Sequence, residues 1–255
     1  MEIINAFNNF IMLISIDICL IILFVAVLQS IFGVGVLLVG TPILMLVGYS
    51  YFEVLSFTLP TSLVISISQV SRYYKNINFI LLKKALVFAI PIIPIGMIIA
   101  AYLGSIIGII MGLFLFLTSF SYFVKFILPV NASNTQLSII LFLMGLIQGS
   151  TSLGGGILPS IVNQKCSLKE QKLATTAAIY ILFQLTQISF IIVKKYPINF
   201  SKSGICVIIG FVAYEVIGKK LFRSIKSEGY TLHLRTFIRV VAIMLVTIKL
   251  YNLNK

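Results

Sequence analysis

Twelve residues in the second half of the chain constrain the fold more than any others: Gln148, Gly149, Ser150, Thr151, Ser152, Leu153, Gly154, Gly155, Gly156, Ile157, Leu158 and Pro159. They sit inside an apolar run that extends from near Leu137 to near Val162. Three consecutive glycines followed by a proline do not continue a helix comfortably. In hydrocarbon, backbone that leaves a helix is tolerated only where it is buried in protein or lines a wet cavity. A polar, glycine-rich break at membrane depth is therefore a candidate site.

The break recurs. Gln29, Gly33, Gly35 and the closing Pro42 stand 119 or fewer positions ahead of Gln148, Ser152, Gly154 and Pro159. Interrupted apolar segments in corresponding places of two halves point to a secondary transporter's binding site. Glycines that merely let helices pack closely are the plainer explanation, but the return of the Gln and the Pro with them favours a site.

Composition sets the medium. Hydrophobic residues make up 60% of the 255, charged residues only 10%, and the mean hydropathy is +1.13. Several charge-free runs of about 18 residues each suffice to cross a bilayer. The net charge of +13 reads as loop lysines and arginines on the cytoplasmic side rather than a nucleic-acid surface. Met1 to Phe10 carries no Lys or Arg, unlike the start of a cleaved signal peptide. The cysteines Cys19, Cys166 and Cys206 are scattered and odd in number, which suits neither a disulfide framework nor a metal cluster. With one histidine, His233, and six acidic residues, neither an enzyme nor a resident metal or cofactor is expected.

The expected order along the chain is a broken hairpin over residues 10–48, then spans over 54–71, 85–103 and 105–124, then a polar connector from Pro129 to Thr135. The second half repeats it: a hairpin over 136–163 and spans over 173–193, 203–218 and 237–253. Pro91 and Pro94 should kink their span, and Glu215 and Lys219 are placed to pair. Asp17, inside an apolar run, is a functional suspect or an interfacial carboxylate. Glu53 and Glu170 read as helix-start carboxylates. If the halves are inverted, 14 of the 19 basic residues face the cytoplasm, with Lys194, Lys195, Lys202, Lys249 and Lys255 outside. A parallel arrangement leaves the charges evenly split. The expected fold is thus an all-α polytopic membrane protein of two inverted repeats, 1–129 and 130–255, each a broken re-entrant hairpin plus three transmembrane helices. Both termini are outside.

The span after each hairpin carries a polar stripe: Thr58, Ser62, Ser66 and Gln69 in the first half, Thr176, Tyr180, Gln184 and Gln187 in the second. At about 100° per residue each set falls on one face. Such faces look toward a partner helix or water. Half-helix N-termini, backbone N–H groups and neutral Ser, Thr and Gln donors suit a small anion, with Gln69 and Gln187 amides donating to it. A divalent metal would want clustered carboxylates or histidines.

The repeated Gln-plus-glycine segments, the LPTSL of Leu59 to Leu63 and the PIIPIG of Pro91 to Gly96 resemble the TauE/SafE sulfite-exporter family of membrane permeases. The first hairpin is thinner in glycine, with Val36 where another is often found. The resemblance implies about eight membrane segments in two repeats and transport of small sulfur-containing anions or organosulfonates. The expected protein is then a secondary transporter in the plasma membrane, its partners the lipid bilayer, an anionic solute and a coupling proton or sodium ion. The alternative is a passive channel or a carrier of an uncharged solute. The oligomeric state is left open.

Overall fold

The computed structural model describes residues 16–119 and 133–224. The last expected span, the hairpin's first residues, His233, the 129/130 boundary and the basic residues Lys125, Lys226, Arg235, Arg239, Lys249 and Lys255 lie outside the described residues. Those that are described form helices joined by short turns, with no strand among them.

In chain order, α1 covers Ile16–Phe32 and is followed by a π-helical turn, Val36–Gly40, and a short α2, Thr41–Leu46. The long α3 is Tyr51–Tyr73; Phe79–Phe88 (α4) and Ile93–Leu103 (α5) form one span; α6 is Ile107–Ser119. The second half holds α7 (Asn134–Thr151), α8 (Leu158–Lys165), α9 (Lys169–Val193), α10 (Phe200–Val212) and α11 (Lys219–Ser224). Helix starts follow local rules. Ser133 and Gln136 close a capping box on α7, and Asn78 and Asn199 accept from the first turns of α4 and α10. Pro91 and Pro94 divide the α4–α5 span around a 3₁₀ turn, Ile90–Ile92, as expected. Glu215, in the π-helical turn Ala213–Gly218 that joins α10 to α11, pairs with Lys219 at the start of α11.

Among the described residues, the helices over Tyr51–Asn76, Phe79–Leu103 and Lys169–Val193 are long and apolar enough to cross a membrane. Their outward faces are apolar too: Ile80, Val87 and Tyr102 on the α4–α5 span, and Ile192 and Val193 on α9, are exposed. Such surface suits lipid rather than water.

α3 and α9 pack together along their length at the centre and run antiparallel. Phe52 stacks on Tyr196 at one end, 3.9 Å between ring centroids, and the Asn78 N–H donates to Thr175 Oγ1 at the other, 2.9 Å. The same ends gather charge. At the Asn78 end, Lys169 Nζ reaches the carbonyls of Phe222 and Arg223 at 3.3 and 3.4 Å. At the opposite end Lys202 pairs with Glu53 at 3.6 Å. α7 lies parallel to the α4–α5 span. Gly145 and Gly149 let the carbonyls of Ala89 and Ile93 approach where any Cβ would collide. α1 packs likewise on α10 and the turn after it, with Ser30 against Gly218. Each broken helix therefore leans on the opposite half of the chain.

Candidate functional site

Both broken helices stop at a left-handed residue four positions after a glutamine. Gly33 has φ +74 and Ser152 has φ +60. Glycine adopts this conformation freely; serine does so at a cost. The N–H of Gly33 donates to Gln29 O at 2.8 Å, and that of Ser152 to Gln148 O at 2.9 Å. The chain then winds again, through the π-helical turn into α2 and through a 3₁₀ turn, Gly154–Gly156, into α8. Pro42 and Pro159 stand in the first turns of those helices, where a missing N–H removes no helical bond. The two turns touch each other. Residues 31–42 and 151–159 are all buried.

The polar stripes face these breaks. Thr58, Ser62, Ser66, Gln69, Thr176, Tyr180, Gln184 and Gln187 are all buried. Gln69 Nε2 donates to the carbonyls of Gln29 and Ser30 at 2.8 and 3.2 Å. Gln187 Nε2 does the equivalent in the second half, donating to Gln148 O at 3.2 Å and Ser152 Oγ at 3.0 Å. Contrary to the sequence-based expectation, these two amide nitrogens tie the stripes to the broken helices instead of facing a solute.

The network also dictates which way each amide points. Gln29 Nε2 donates to Ser62 O at 2.9 Å, and a carbonyl can only accept. Gln29 Oε1 therefore accepts, from Val36 N–H at 3.1 Å and Ser62 Oγ–H at 2.8 Å. With its proton committed, Ser62 Oγ can only accept from Gln184, so Gln184 Nε2 is the donor at 2.5 Å. In the second half Gln187 Oε1 accepts from Gln148 Nε2 at 2.9 Å. The amide oxygens of Gln69, Gln148 and Gln184 are left without a protein partner, as are Thr41 Oγ1 and the Tyr180 hydroxyl. A buried polar group without a partner costs about 1–3 kcal/mol. Each such group in a folded protein calls for an explanation, either strain that the fold tolerates or a water or ion that meets it.

Two of those atoms, the Tyr180 hydroxyl and Gln148 Oε1, lie at the second break. The Tyr180 phenol occupies the place where a Cβ of Gly155 would stand. A Cβ on Gly154 would lie 2.8 Å from Gln148 Oε1. Gln184 follows Tyr180 by one helical turn on the same face.

The other expected site residues are more local. Gly35 lies so close to Gln29 N and Val25 O that a Cβ would come within 2.5 and 2.6 Å of them. Thr176 packs its methyl against Gly33. Thr58 and Ser150 return their hydroxyls to the helix behind them, at Val54 O and Leu146 O, 2.8 and 2.9 Å. Thr151 accepts from Leu153 N–H at 3.3 Å, across the break. Asp17 is exposed in the first turn of α1, and Glu53 and Glu170 occupy the first turns of α3 and α9. Cys166 is a buried thiol whose pKa burial pushes up despite hydrogen bonds to Thr175 and Asn78, the opposite of an activated thiolate. No three potential metal ligands of the His, Cys, Asp or Glu type lie together among the described residues.

Tyr51 was missed. Its hydroxyl meets Ser152 Oγ at 3.0 Å and Gly149 O at 3.3 Å, bracing the second break from α3. It lies seven residues before Thr58, two turns back on the same face, so extending the stripe backwards would have found it.

A family model described as Sulfite exporter TauE/SafE matches residues 18–250. No curated protein and no solved structure matches the chain.

Proposed function

Because the chain belongs to the sulfite exporter TauE/SafE family, and is thus a membrane transporter, we propose that it is a secondary carrier of a small sulfur oxyanion or organosulfonate. The observation that carries this reading is the second break, where a buried glycine turn meets two polar atoms, Gln148 Oε1 and the Tyr180 hydroxyl, that the protein leaves without partners. Solute would bind there, between the two broken hairpins and the facing stripes of α3 and α9. Gln29, Gln69 and Gln187 hold that frame, and the groups at Gly154, Gly155, Gln148, Tyr180 and Gln184 meet the solute.

The chain is read as two inverted repeats, 1–129 and 130–255, each a re-entrant hairpin and three spans, in the plasma membrane. Two features support this. The equivalent helices α3 and α9 run antiparallel, as an axis in the membrane plane requires. The basic loops near Asn78, Lys169 and Arg223 meet at one end, which suits a cytoplasmic face. Transport is taken to be coupled to a proton or sodium gradient, with no covalent chemistry.

The test is flux in proteoliposomes against a panel of sulfite, thiosulfate and alkanesulfonates, with and without an imposed proton or sodium gradient. Saturable, gradient-driven uptake of at least one of them is expected. Unsaturable flux that ignores both gradients would make the protein a channel, and no movement of any oxyanion would end the proposal.

A further inference from the structure

We infer that the second break selects an oxyanion that itself carries a hydrogen-bond donor, such as the O-protonated hydrogen sulfite ion, over one of the same size that carries none. This rests on the reading above that a small oxyanion binds there.

Gln184 Oε1 and Gln148 Oε1 are buried acceptors without partners. Neither amide is free to turn over and offer its nitrogen. Gln184 Nε2 is held by Ser62 Oγ, whose own proton is committed to Gln29 Oε1. Gln148 Nε2 is held by Gln187 Oε1, because Gln187 Nε2 must face the Gln148 carbonyl. Gln148 Oε1 lies at Gly154, and Gln184 stands on the α9 face between Tyr180 and Gln187, both of which reach the second break; on this inference the solute meets both acceptors. A bare oxyanion placed against them would set negative oxygen on negative oxygen with nothing between. An O–H on the solute turns that clash into a hydrogen bond. The Tyr180 hydroxyl, also without a partner, is the one side-chain donor of the three and can serve the anion's unprotonated oxygens. One donor beside two acceptors matches an ion that has both O⁻ and O–H. A site built to hydrogen-bond an O–H rejects the analogue that lacks it, because its own groups are then left unpaired.

Methanesulfinate tests this, since a methyl group replaces the hydroxyl of hydrogen sulfite while the charge and the two other oxygens stay. Half-saturation by each is measured in proteoliposomes at a mildly acidic pH, where sulfite is mostly the monoanion. Wild-type protein is expected to prefer hydrogen sulfite by at least about tenfold, the worth of one hydrogen bond to a charged group. Gln184→Met should weaken hydrogen sulfite by about the same factor and leave methanesulfinate little changed, collapsing the preference. Tyr180→Phe, which removes a hydroxyl that no protein group uses, should weaken both anions alike. The ratio of the two constants does not depend on how much protein folds. Equal half-saturation in the wild type, or parallel weakening of both anions by Gln184→Met, overturns the inference and leaves anion transport standing. Thermal stabilisation by sodium ions alone that Gln184→Met abolishes also overturns it, since the acceptors would then serve a cation. If neither anion moves, the transport reading itself has failed.

Discussion

In the first half of the chain, Gln29 closes its own break. Its amide oxygen takes the Val36 N–H that begins the next helical turn and the Ser62 hydroxyl beside it, while its nitrogen binds Ser62 O and Ser66 Oγ. Gln148, 119 residues on, turns its nitrogen to Gln187 and leaves its oxygen unpartnered beside Gly154. The stripes explain the difference. Where the first half has Ser62, short enough for its hydroxyl to reach the glutamine, the second has Tyr180, whose hydroxyl lies at Gly155. The residue that faces Gln29 is Val36; its counterpart is Gly155, whose missing Cβ makes room for the Tyr180 hydroxyl. Ser62 with Val36 and Tyr180 with Gly155 are two coupled solutions at one equivalent position. At Gln29 the first is a closed joint, whereas the second leaves Gln148 Oε1 and the Tyr180 hydroxyl without protein partners.

The comparison depends on the halves being related across the membrane, so the all-or-none test comes first. In a variant lacking Cys19, Cys166 and Cys206, thiol reagents should label Lys75→Cys and Lys169→Cys from the cytoplasmic side and Lys195→Cys from outside. Labelling Lys75→Cys and Lys195→Cys from one side would break the inverted relation. Next comes Gly155→Leu, which drives a side chain into the Tyr180 phenol. It should abolish flux while the protein still reaches the membrane. Gly155→Val combined with Tyr180→Ser copies the first half's solution into the second, and should restore normal thermal stability without restoring flux. Recovered flux would mean that the two breaks are equivalent after all.

The glutamines should then separate by readout. Gln29→Ala strands the Val36 N–H and the Ser62 hydroxyl in a dry place. At about 1–3 kcal/mol for each stranded group, it should lower the melting temperature in detergent by several degrees. Gln148→Ala should raise half-saturation roughly tenfold with a smaller loss of stability, and equal melting shifts in the two variants would erase the distinction. The smallest effects belong to Gln69→Ala and Gln187→Ala. Their nitrogens bind helices to each other, and such bonds average about 0.6 kcal/mol in membranes. Half-saturation should change less than about threefold; a tenfold rise in both would return them to direct solute contact.

Much of the fold was legible because hydrocarbon enforces simple rules. Apolar runs became helices, Pro91 and Pro94 interrupted theirs, and Glu215 met Lys219 one turn on. The paired breaks and both stripes were legible as well, since spacing at helical period fixes which residues share a face. Less legible was the use each polar residue is put to. The spacing that would place Tyr51 on the stripe does not name its partner, Ser152, 101 residues on.

What the sequence determined alone, then, is medium, helix placement, the two breaks and the faces turned toward them, because each follows from local propensity or from the absence of water around the backbone. The tertiary structure decided which acceptors remain without partners. A glutamine amide can point either way, and its direction is set by neighbours from other helices: Ser62 for Gln29 and Gln184, and the Gln148 carbonyl for Gln187. Those contacts arise only when α1, α3, α7 and α9 converge, so the chemical character of the second break is a property of their packing.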